Sequence, residues 1–262
     1  MSLVHHAGRI GLVCNPDHEV FAAVAAELEA RGFEVAFLEP SRPVEPATIA
    51  SLDLLANKKV TPASFRALRD AERLGVPTWN GATTMLLGAR LVGLRALEAV
   101  GFAVPATTLE PPATPYVAKP RFDWLGGPDP VVNGAGDVYQ PLLPAAPVDD
   151  KYYGVDDGDR VHVRALRSRS KLYGEKEPLA VVEPDPAVAE KVRALMAKTD
   201  AQAIGVDVIW SRGEPVAVDV NPSMSCRHVG LEPALADSMA ARVSLPLGAN
   251  YPRPTARSPP AT

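Results

Sequence analysis

The chain of 262 residues can form one large domain or two to three small ones, and its 47% hydrophobic and 22% charged residues are typical of a soluble globular protein. The formal net charge of −4 gives no reason to expect nucleic acid or an anionic membrane as a partner, and no apolar run approaches the ~20 residues of a membrane span. Cys14 and Cys226 are too few and too far apart for a disulfide framework, and the first residues show no signal-peptide hydrophobic region, so we expect a cytoplasmic protein.

The first 80 residues predict a small α/β unit. Residues 9–15 read as a buried strand, and Asn15 or Asp17 is expected to cap a helix over residues 19–32. The order β-α-β predicts a parallel sheet of Rossmann type. The remaining elements are a strand within 34–40, a strand within 51–59, a helix over 64–75 and a strand at 76–80. No glycine fingerprint follows the first strand, so a dinucleotide is not expected there.

Beyond residue 80 the pattern changes from helix to hairpins. Residues 85–102 predict one long helix that ends at Gly101. The later predictions are a strand at 116–120, a hairpin turning at Asn133 and Gly134, a second hairpin over 150–171 turning at 156–159, a helix starting at Asp185 or Pro186, and a last hairpin turning near Arg212 and Gly213. Residues 249–262 contain almost no core-forming residues and predict a disordered tail. The chain therefore predicts an α/β unit followed by an antiparallel α+β unit.

The strand PVAVDVNPS, residues 215–223, has two chemically different faces. Its valines at 216, 218 and 220 alternate as a core face would, while Asp219 and Asn221 share the opposite face. If residues 212–214 form a three-residue loop, Asp207 lies opposite Asp219 on the preceding strand. Crowded carboxylates require a cation, and oxygen ligands of this kind favour Mg²⁺ that bridges to phosphate. A solvated outer face is the alternative for any single aspartate, but the triplet favours the metal.

Lys119 is a candidate phosphate ligand. It lies in the apolar strand YVAKP, and the glycine-bearing loop RFDWLGGPD follows it. A lysine in such a strand needs a partner or extends its amine to solvent. Taken alone, Lys119 would be an ordinary strand-end lysine.

Taken together, these segments resemble ATP-grasp proteins from about residue 86 to residue 227. The similarity is to RimK-like carboxylate–amine ligases, and the ATP-grasp inositol polyphosphate kinases are also close. The motifs that carry it are GVPTWN, GFAVPATT, YVAKP with its glycine loop, VYQPLLP, DKYYGVDDG and GVDVIW followed by VAVDVNPS. The resemblance implies a Rossmann-like pre-ATP-grasp unit over 1–84, a small or central ATP-grasp subdomain over 85–142 and a C-terminal subdomain over 143–248, with antiparallel sheets in both subdomains.

The resemblance also implies roles for individual residues. It places ATP contacts at Arg90, Lys119, Gln140, Pro141, Leu142 and Leu143, metal ligands for Mg²⁺ (or Mn²⁺) at Asp207, Asp219 and Asn221, and reaction chemistry at Lys151 and Arg227. Gln140 to Leu143 match the hinge whose backbone holds the adenine edge.

Three departures from the family pattern stand out. Arg90 occupies the position of a phosphate-binding lysine, and arginine can bind phosphate through two donors. Asp219 replaces the glutamate of most ATP-grasp ligases, whereas the inositol kinases have a similar Asp-x-Asn. The stretch between Lys119 and Gln140 is short and predicts no helix after the glycine loop.

The sequence gives less information about the residues that would bind the acceptor than about those that would bind ATP. Period-two spacing places Arg167, Arg169 and Lys171 on one strand face, with Arg164 opposite. That face would either line the cleft and attract an anionic acceptor, or form a solvated basic edge that discourages strand pairing. We expect Cys226 to be a small buried residue rather than a nucleophile.

Three functions fit these predictions. The first is an ATP-dependent ligase that joins a carboxylate to an amine through an acylphosphate, and the second is a kinase that phosphorylates a polyol or inositol phosphate. The third is an ATP-binding protein without catalytic activity. The expected partner is a small, anionic acceptor, with no nucleic acid or membrane, and a homo-oligomer is compatible with the sequence.

Overall fold

A computed structural model of the chain describes residues 8–175 and 177–243. Its N-terminal part is a parallel four-stranded sheet with helices. The elements are β1 (Gly8–Val13), α1 (Glu19–Ala30), β2 (Phe33–Leu38), α2 (Pro46–Ala50), β3 (Leu54–Asn57), α3 (Pro62–Leu74) and β4 (Thr78–Trp79), and the strand order is β2-β1-β3-β4. The predicted α/β unit is confirmed. The predicted tail at 249–262 lies outside the described residues.

The cap of α1 differs from the prediction. Neither Asn15 nor Asp17 caps the helix; the N-cap is His18, whose Nδ1 accepts a hydrogen bond of 3.4 Å from Phe21 N. The chain first makes a turn in which His18 N donates to Asn15 O at 3.1 Å, so the helix begins beyond both predicted residues.

The predicted long helix over residues 85–102 is also wrong. The structure has α4 (Ala82–Met85), a 3₁₀ turn (Leu86–Gly88) and α5 (Arg90–Glu98). Ala89 is extended and bridges to Phe122, while Arg90 N donates to Arg121 O at 2.8 Å. This strand-like contact with the loop after Lys119 interrupts the helix and places Arg90 at the first position of α5.

The central sheet has three short strands: β5 (Tyr116–Lys119), β6 (Val131–Val132) and β7 (Val138–Pro141). The hairpin predicted at Asn133 and Gly134 does not form, because β5 lies between β6 and β7 and pairs antiparallel with both. Asn133 instead connects back to β5, where its Oδ1 accepts a hydrogen bond from Tyr116 N at 3.0 Å. Lys119 and Gln140 therefore lie on neighbouring strands.

The largest sheet is antiparallel and has the order β10-β9-β8-β11-β12. Its strands and the two flanking helices are β8 (Val148–Asp156), β9 (Val161–Arg169), β10 (Pro178–Val182), α6 (Pro186–Thr199), β11 (Ala203–Ser211), β12 (Glu214–Asn221) and α7 (Glu232–Val243). The predicted β8–β9 hairpin and the start of α6 at its N-cap Asp185 are confirmed, whereas β10 was not predicted. The parallel unit followed by antiparallel sheets is the predicted fold class.

Asn80 joins the parallel sheet to the large sheet. It is fully buried with φ 52°, and its Nδ2 donates to Ala203 O at 2.6 Å and to Pro222 O at 2.8 Å. Its Oδ1 accepts from Gln202 N at 2.9 Å and from Ala203 N at 3.1 Å. One side chain therefore fixes the start of β11 and the residue that follows β12.

Three apolar clusters of the described residues cover the faces of these sheets. The first lies around the parallel sheet, α1 and α7, and the second packs α5 and α6 against the large sheet. The third packs α2 and α3 against the parallel sheet. None of the helices within the described ranges is both long and apolar enough to span a membrane.

Candidate active site

The β11–β12 hairpin sets the position of the two central carboxylates. Its turn has two residues, Arg212 and Gly213, with φ of 55° and 87°, and Ser211 pairs with Glu214. The predicted three-residue loop is therefore wrong. A two-residue turn alone would place Asp207 opposite Val218, but a bulge shifts the register and pairs Asp207 with Asp219. The predicted pairing of Asp207 with Asp219 is confirmed, but it results from the bulge rather than from the length of the turn.

The bulge also changes which residues of β12 face the core. Ala217 and Val220 are buried, whereas Val218 and Asp219 both line a cavity. The predicted core face at Val216, Val218 and Val220 is therefore correct only for Val220. Because the bulge adds one residue between two buried positions, two successive side chains point to the same side.

A cavity of about 240 Å³ lies between the three-stranded sheet and the large sheet. Ten of the predicted site residues line it: Arg90, Lys119, Gln140, Pro141, Leu142, Leu143, Lys151, Asp207, Asp219 and Asn221. Apolar side chains such as Val117 and Ile209 also contribute to its walls. The cavity thus combines an apolar part with a group of paired charges.

Each central carboxylate contacts a buried cation. Arg90 Nη1 donates to Asp219 Oδ1, and Lys151 Nζ donates to Asp207 Oδ2. Although burial lowers the pKa of Lys151, the carboxylates around it, mainly Asp207, raise it above its ordinary value. Both ion pairs lie next to the cavity.

Lys119 is 6% exposed, and its Nζ donates to Val218 O at 2.7 Å. Burial lowers its pKa to about 8, although Asp219 and Asp207 oppose the change. Arg90 also has a donor that can bind a ligand, because its buried Nε has no hydrogen-bond partner among the described residues. An oxyanion in the cavity would satisfy both groups.

Strand β7 forms part of the cavity wall opposite the paired charges. Gln140 is buried and pairs with Val117 of β5, and its Nε2 donates to Thr107 Oγ1 at 3.1 Å. Leu142 N donates to Pro115 O at 2.9 Å, which keeps this segment against the three-stranded sheet. Residues 140–143 therefore form a fixed edge where the chain passes from the smaller sheet to the larger one.

No protein-family model matches this chain, and no curated protein is similar to it in sequence. Solved structures do match. A RimK domain ATP-grasp protein from Sphaerobacter thermophilus DSM 20745 has 19% identity and a TM-score of 0.65, over 88% of this chain and 99% of that one. The ATP-grasp ligase PsnB, complexed with a minimal precursor, Mg and ADP, has 18% identity and a TM-score of 0.66, over 93% and 99%. The ADP complex of purK, an N5-carboxyaminoimidazole ribonucleotide synthetase, has 13% identity and a TM-score of 0.69, over 92% and 78%.

The chain has the ATP-grasp fold. The similarity extends over the N-terminal parallel sheet as well as the two antiparallel ones, because about nine tenths of the chain is covered in each comparison. The predicted resemblance to RimK-like proteins is confirmed at the level of the fold.

Two acidic residues of this ATP-grasp cavity were missed by the sequence analysis. Asp123, in the loop after Lys119, and Asp149, at the start of β8, both line the cavity. Burial raises the pKa of each, and the charge of Asp219 adds to the effect on Asp123 while Asp207 adds to that on Asp149. The only signal for Asp149 was its position two residues before Lys151.

The predicted basic face does not line the cavity as a unit. Arg167 binds Asp150 through Nε and Nη2 at 2.7 and 2.8 Å, and Arg169 pairs with Glu177 at 3.2 Å. Lys171 is the member that lines the cavity, where it pairs with Asp129 at 2.6 Å. The arginines are neutralised on the surface of the sheet.

Arg227 is not brought into the cavity. Its exposed side chain lies 3.6 Å from the carboxylate of Glu19 in α1. Its neighbour Cys226 is fully buried, and burial raises the pKa of the thiol to about 12, which agrees with a packing role. The segment from Asn221 to Arg227 thus leads from the cavity to the N-terminal sheet.

Proposed function

We propose that the protein is an ATP- and Mg²⁺-dependent ligase that joins a carboxylate to an amine. The observation that carries this proposal is the cavity in which Lys119 and Arg90 lie beside the carboxylates of Asp207 and Asp219, with residues 140–143 on the opposite wall. Cations suit the phosphates of ATP, and the apolar part of the cavity suits the adenine ring.

The donor set fits Mg²⁺. Asp207, Asp219 and Asn221 offer only oxygen ligands, and Mg²⁺ in nucleotide sites is held by one or two carboxylates together with phosphates and water. Within residues 8–175 and 177–243 no three His, Cys, Asp or Glu side chains form a metal site of their own. Asn221 Oδ1 already accepts a hydrogen bond from Ser223 N at 2.8 Å, which orients the amide. A bound Mg²⁺ would neutralise phosphate charge at this end of the cavity.

The chain's own residues supply positioning and charge. Lys119 and Arg90 would hold the phosphates so that an acceptor carboxylate oxygen attacks the γ-phosphorus, with cleavage of its bond to the bridging oxygen and release of ADP. The amine then attacks the acyl carbon and phosphate leaves. Such a reaction needs no side-chain nucleophile, because alignment and charge neutralisation lower the barrier. Lys151, which is ion-paired with Asp207, would contact the acceptor or the transferred phosphoryl group.

The structural neighbours support the reaction class. PsnB is a ligase whose complex contains Mg and ADP, and purK is a synthetase whose complex contains ADP. At identities of 13 to 18% they support the nucleotide and the class of reaction rather than a particular acceptor.

Hydroxylamine separates the three candidate functions. With Mg-ATP and a panel of carboxylic acids, a ligase forms a hydroxamate, because hydroxylamine captures the acylphosphate in place of the amine. A kinase releases ADP with a polyol in the absence of hydroxylamine. An inactive ATP-binding protein binds Mg-ATP, yet neither panel increases ADP release.

The metal ligands are tested by Asp219→Asn, which keeps the shape of the side chain and removes its charge. We expect the Mg²⁺-dependent increase in melting temperature with ATP to be lost. Asp70→Asn on α3, whose partner is Arg73, is the matched control and should retain it. An unchanged response in Asp219→Asn would overturn the metal assignment.

A further inference from the structure

The carboxyl ends of β1 and β3 carry a group of cations that the proposed reaction does not use. β1 lies between β2 and β3, so the connections after β1 and β3 leave the sheet in opposite directions. In open α/β sheets ligands bind in the crevice that such a switch point creates. Lys58 lies directly at this point, since its backbone N donates to Val13 O at 3.1 Å.

Lys58 is a buried ammonium group without an acidic partner. It is 3% exposed; its Nζ donates to Ser223 O at 2.9 Å and lies 5.8 Å from the centre of the Phe21 ring. Among the described residues it forms no ion pair with a carboxylate. Burying a charge without a counter-charge is costly, and burial lowers the pKa of Lys58 to about 8.

Three further basic side chains are near enough to this amine for their charges to interact with it: His18, Lys59 and Arg227. After burial, the charges of Lys58, Lys59 and Arg227 are the next causes that lower the pKa of His18, to about 4. The nearby acids only partly offset them, because Glu19 pairs with Arg227 at 3.6 Å and Asp17 is exposed. The switch point therefore has an excess of positive charge.

The segment after β12 connects this cationic group to the cavity. Asn221 and Ser225 line the cavity, while Ser223 between them accepts the hydrogen bond from Lys58. Ser223 Oγ in turn donates to Lys58 O. The segment that holds Lys58 is therefore the one that runs along the metal end of the cavity.

We propose that the acceptor carries a second anionic group, a carboxylate or a phosphate, that binds Lys58, Lys59 and Arg227. This inference rests on the proposed ligase function and names the class of its acceptor. The first carboxylate takes the phosphoryl group in the cavity, and the second anion supplies the missing counter-charge at the switch point. Discrimination between acceptors would then depend on the N-terminal sheet.

The test measures melting temperature and binding heat with three probes in the presence of Mg-ADP: succinate, butyrate and inorganic phosphate. Butyrate has the chain length of succinate but lacks its second carboxylate. The variant Lys59→Gln/Arg227→Gln removes two charges without altering buried Lys58, and Arg193→Gln/Lys198→Gln on α6 is a control with the same loss of charge. A further variant, Lys58→Met, tests the buried amine itself.

We expect wild type to bind succinate or phosphate at least tenfold more tightly than butyrate, and we expect the Lys59→Gln/Arg227→Gln variant to lose this preference while the control keeps it. The stronger of the two probes identifies the second group as a carboxylate or a phosphate. Absence of the preference in wild type, or anion binding that persists in the variant, would overturn the inference. Selective anion binding together with a missing response to Mg-ADP would leave this site standing and refute the proposed ligase instead.

Discussion

The ammonium group of Lys119 donates a hydrogen bond of 2.7 Å to the backbone carbonyl of Val218, the residue at the bulge of β12. The bulge therefore does two things at once. It turns Asp219 into the cavity opposite Asp207, and it offers a carbonyl that holds a buried lysine beside the same carboxylates. With the same two-residue turn, a regular strand would pair Asp207 with Val218 instead of Asp219.

Replacement of Lys119 by methionine should weaken Mg-ATP binding by about 10- to 100-fold, since a hydrogen bond from a charged donor contributes about 1.5–3 kcal/mol. The apolar stem is retained, so the cavity should keep its shape. Calorimetric titration with Mg-ATP checks the prediction. Lys198→Met on the exposed face of α6 serves as the control, and equal affinities for the two variants would contradict the assignment.

We also expect the unfolding free energies of wild type and Lys119→Met to depend differently on pH. The pKa of Lys119 is about 8 in the folded protein because of burial, against 10.5 for the free side chain. Between these values the unfolded chain binds more protons, so the unfolding free energy of wild type rises with pH relative to Lys119→Met, by at most about 1.4 kcal/mol per pH unit. Urea unfolding of both proteins at pH 7.5, 8.5 and 9.5 measures this difference. A difference that stays constant would show that burial does not lower the pKa of Lys119.

Gly93 allows α5 to approach β12 closely. A Cβ at this position would meet Val220 of β12 and the carbonyl of Leu87. Glycine to alanine normally stabilises a helix, but we expect Gly93→Ala to lower the unfolding free energy by about 1–3 kcal/mol and to weaken ATP binding, because α5 carries Arg90. Val92→Ala on the exposed side of the same helix should change neither quantity. Thermal unfolding with and without Mg-ATP distinguishes the two variants.

Asn80→Asp tests the junction between the sheets. Aspartate tolerates the left-handed backbone, but it replaces a donor to two buried carbonyls, those of Ala203 and Pro222, by an acceptor. We expect a loss of about 3 kcal/mol or more in the free energy of unfolding in urea. The exposed Asn15→Asp provides the comparison. Similar stabilities of the two variants would show that the junction does not depend on these hydrogen bonds.

The sequence predicted local features well and tertiary pairings poorly. The helical pattern of α6 and the hairpin of β8 and β9 depend on nearby residues, and both were predicted. The break at Ala89 depends on a contact with Phe122, far along the chain, and the place of β5 between β6 and β7 overrides a strong turn signal at Asn133. Neither contact leaves a periodic signature.

The candidate site likewise combines residues that local motifs predicted with residues whose position depends on distant contacts. Ten of the eleven site residues indicated by the motifs line the cavity, since each lies at a strand end or hinge with recognisable neighbours. Lys58 was missed as a buried cation because the sequence places it only at the end of a strand within residues 51–59. Its burial results from the approach of Ser223, 165 positions later, which no local pattern predicts.

The hydrogen bonds of Asn80 limit how the N-terminal unit of this chain can be replaced by one from another protein. A chimaera that joins a foreign N-terminal unit at residue 84 would lose the native Asn80, while Gln202, Ala203 and Pro222 would stay with the remainder. The graft would function only if its own last strand ended in a residue with the same backbone twist and the same pattern of donors and acceptors. Exchange of the N-terminal unit therefore requires that the two sides of this junction be inherited together.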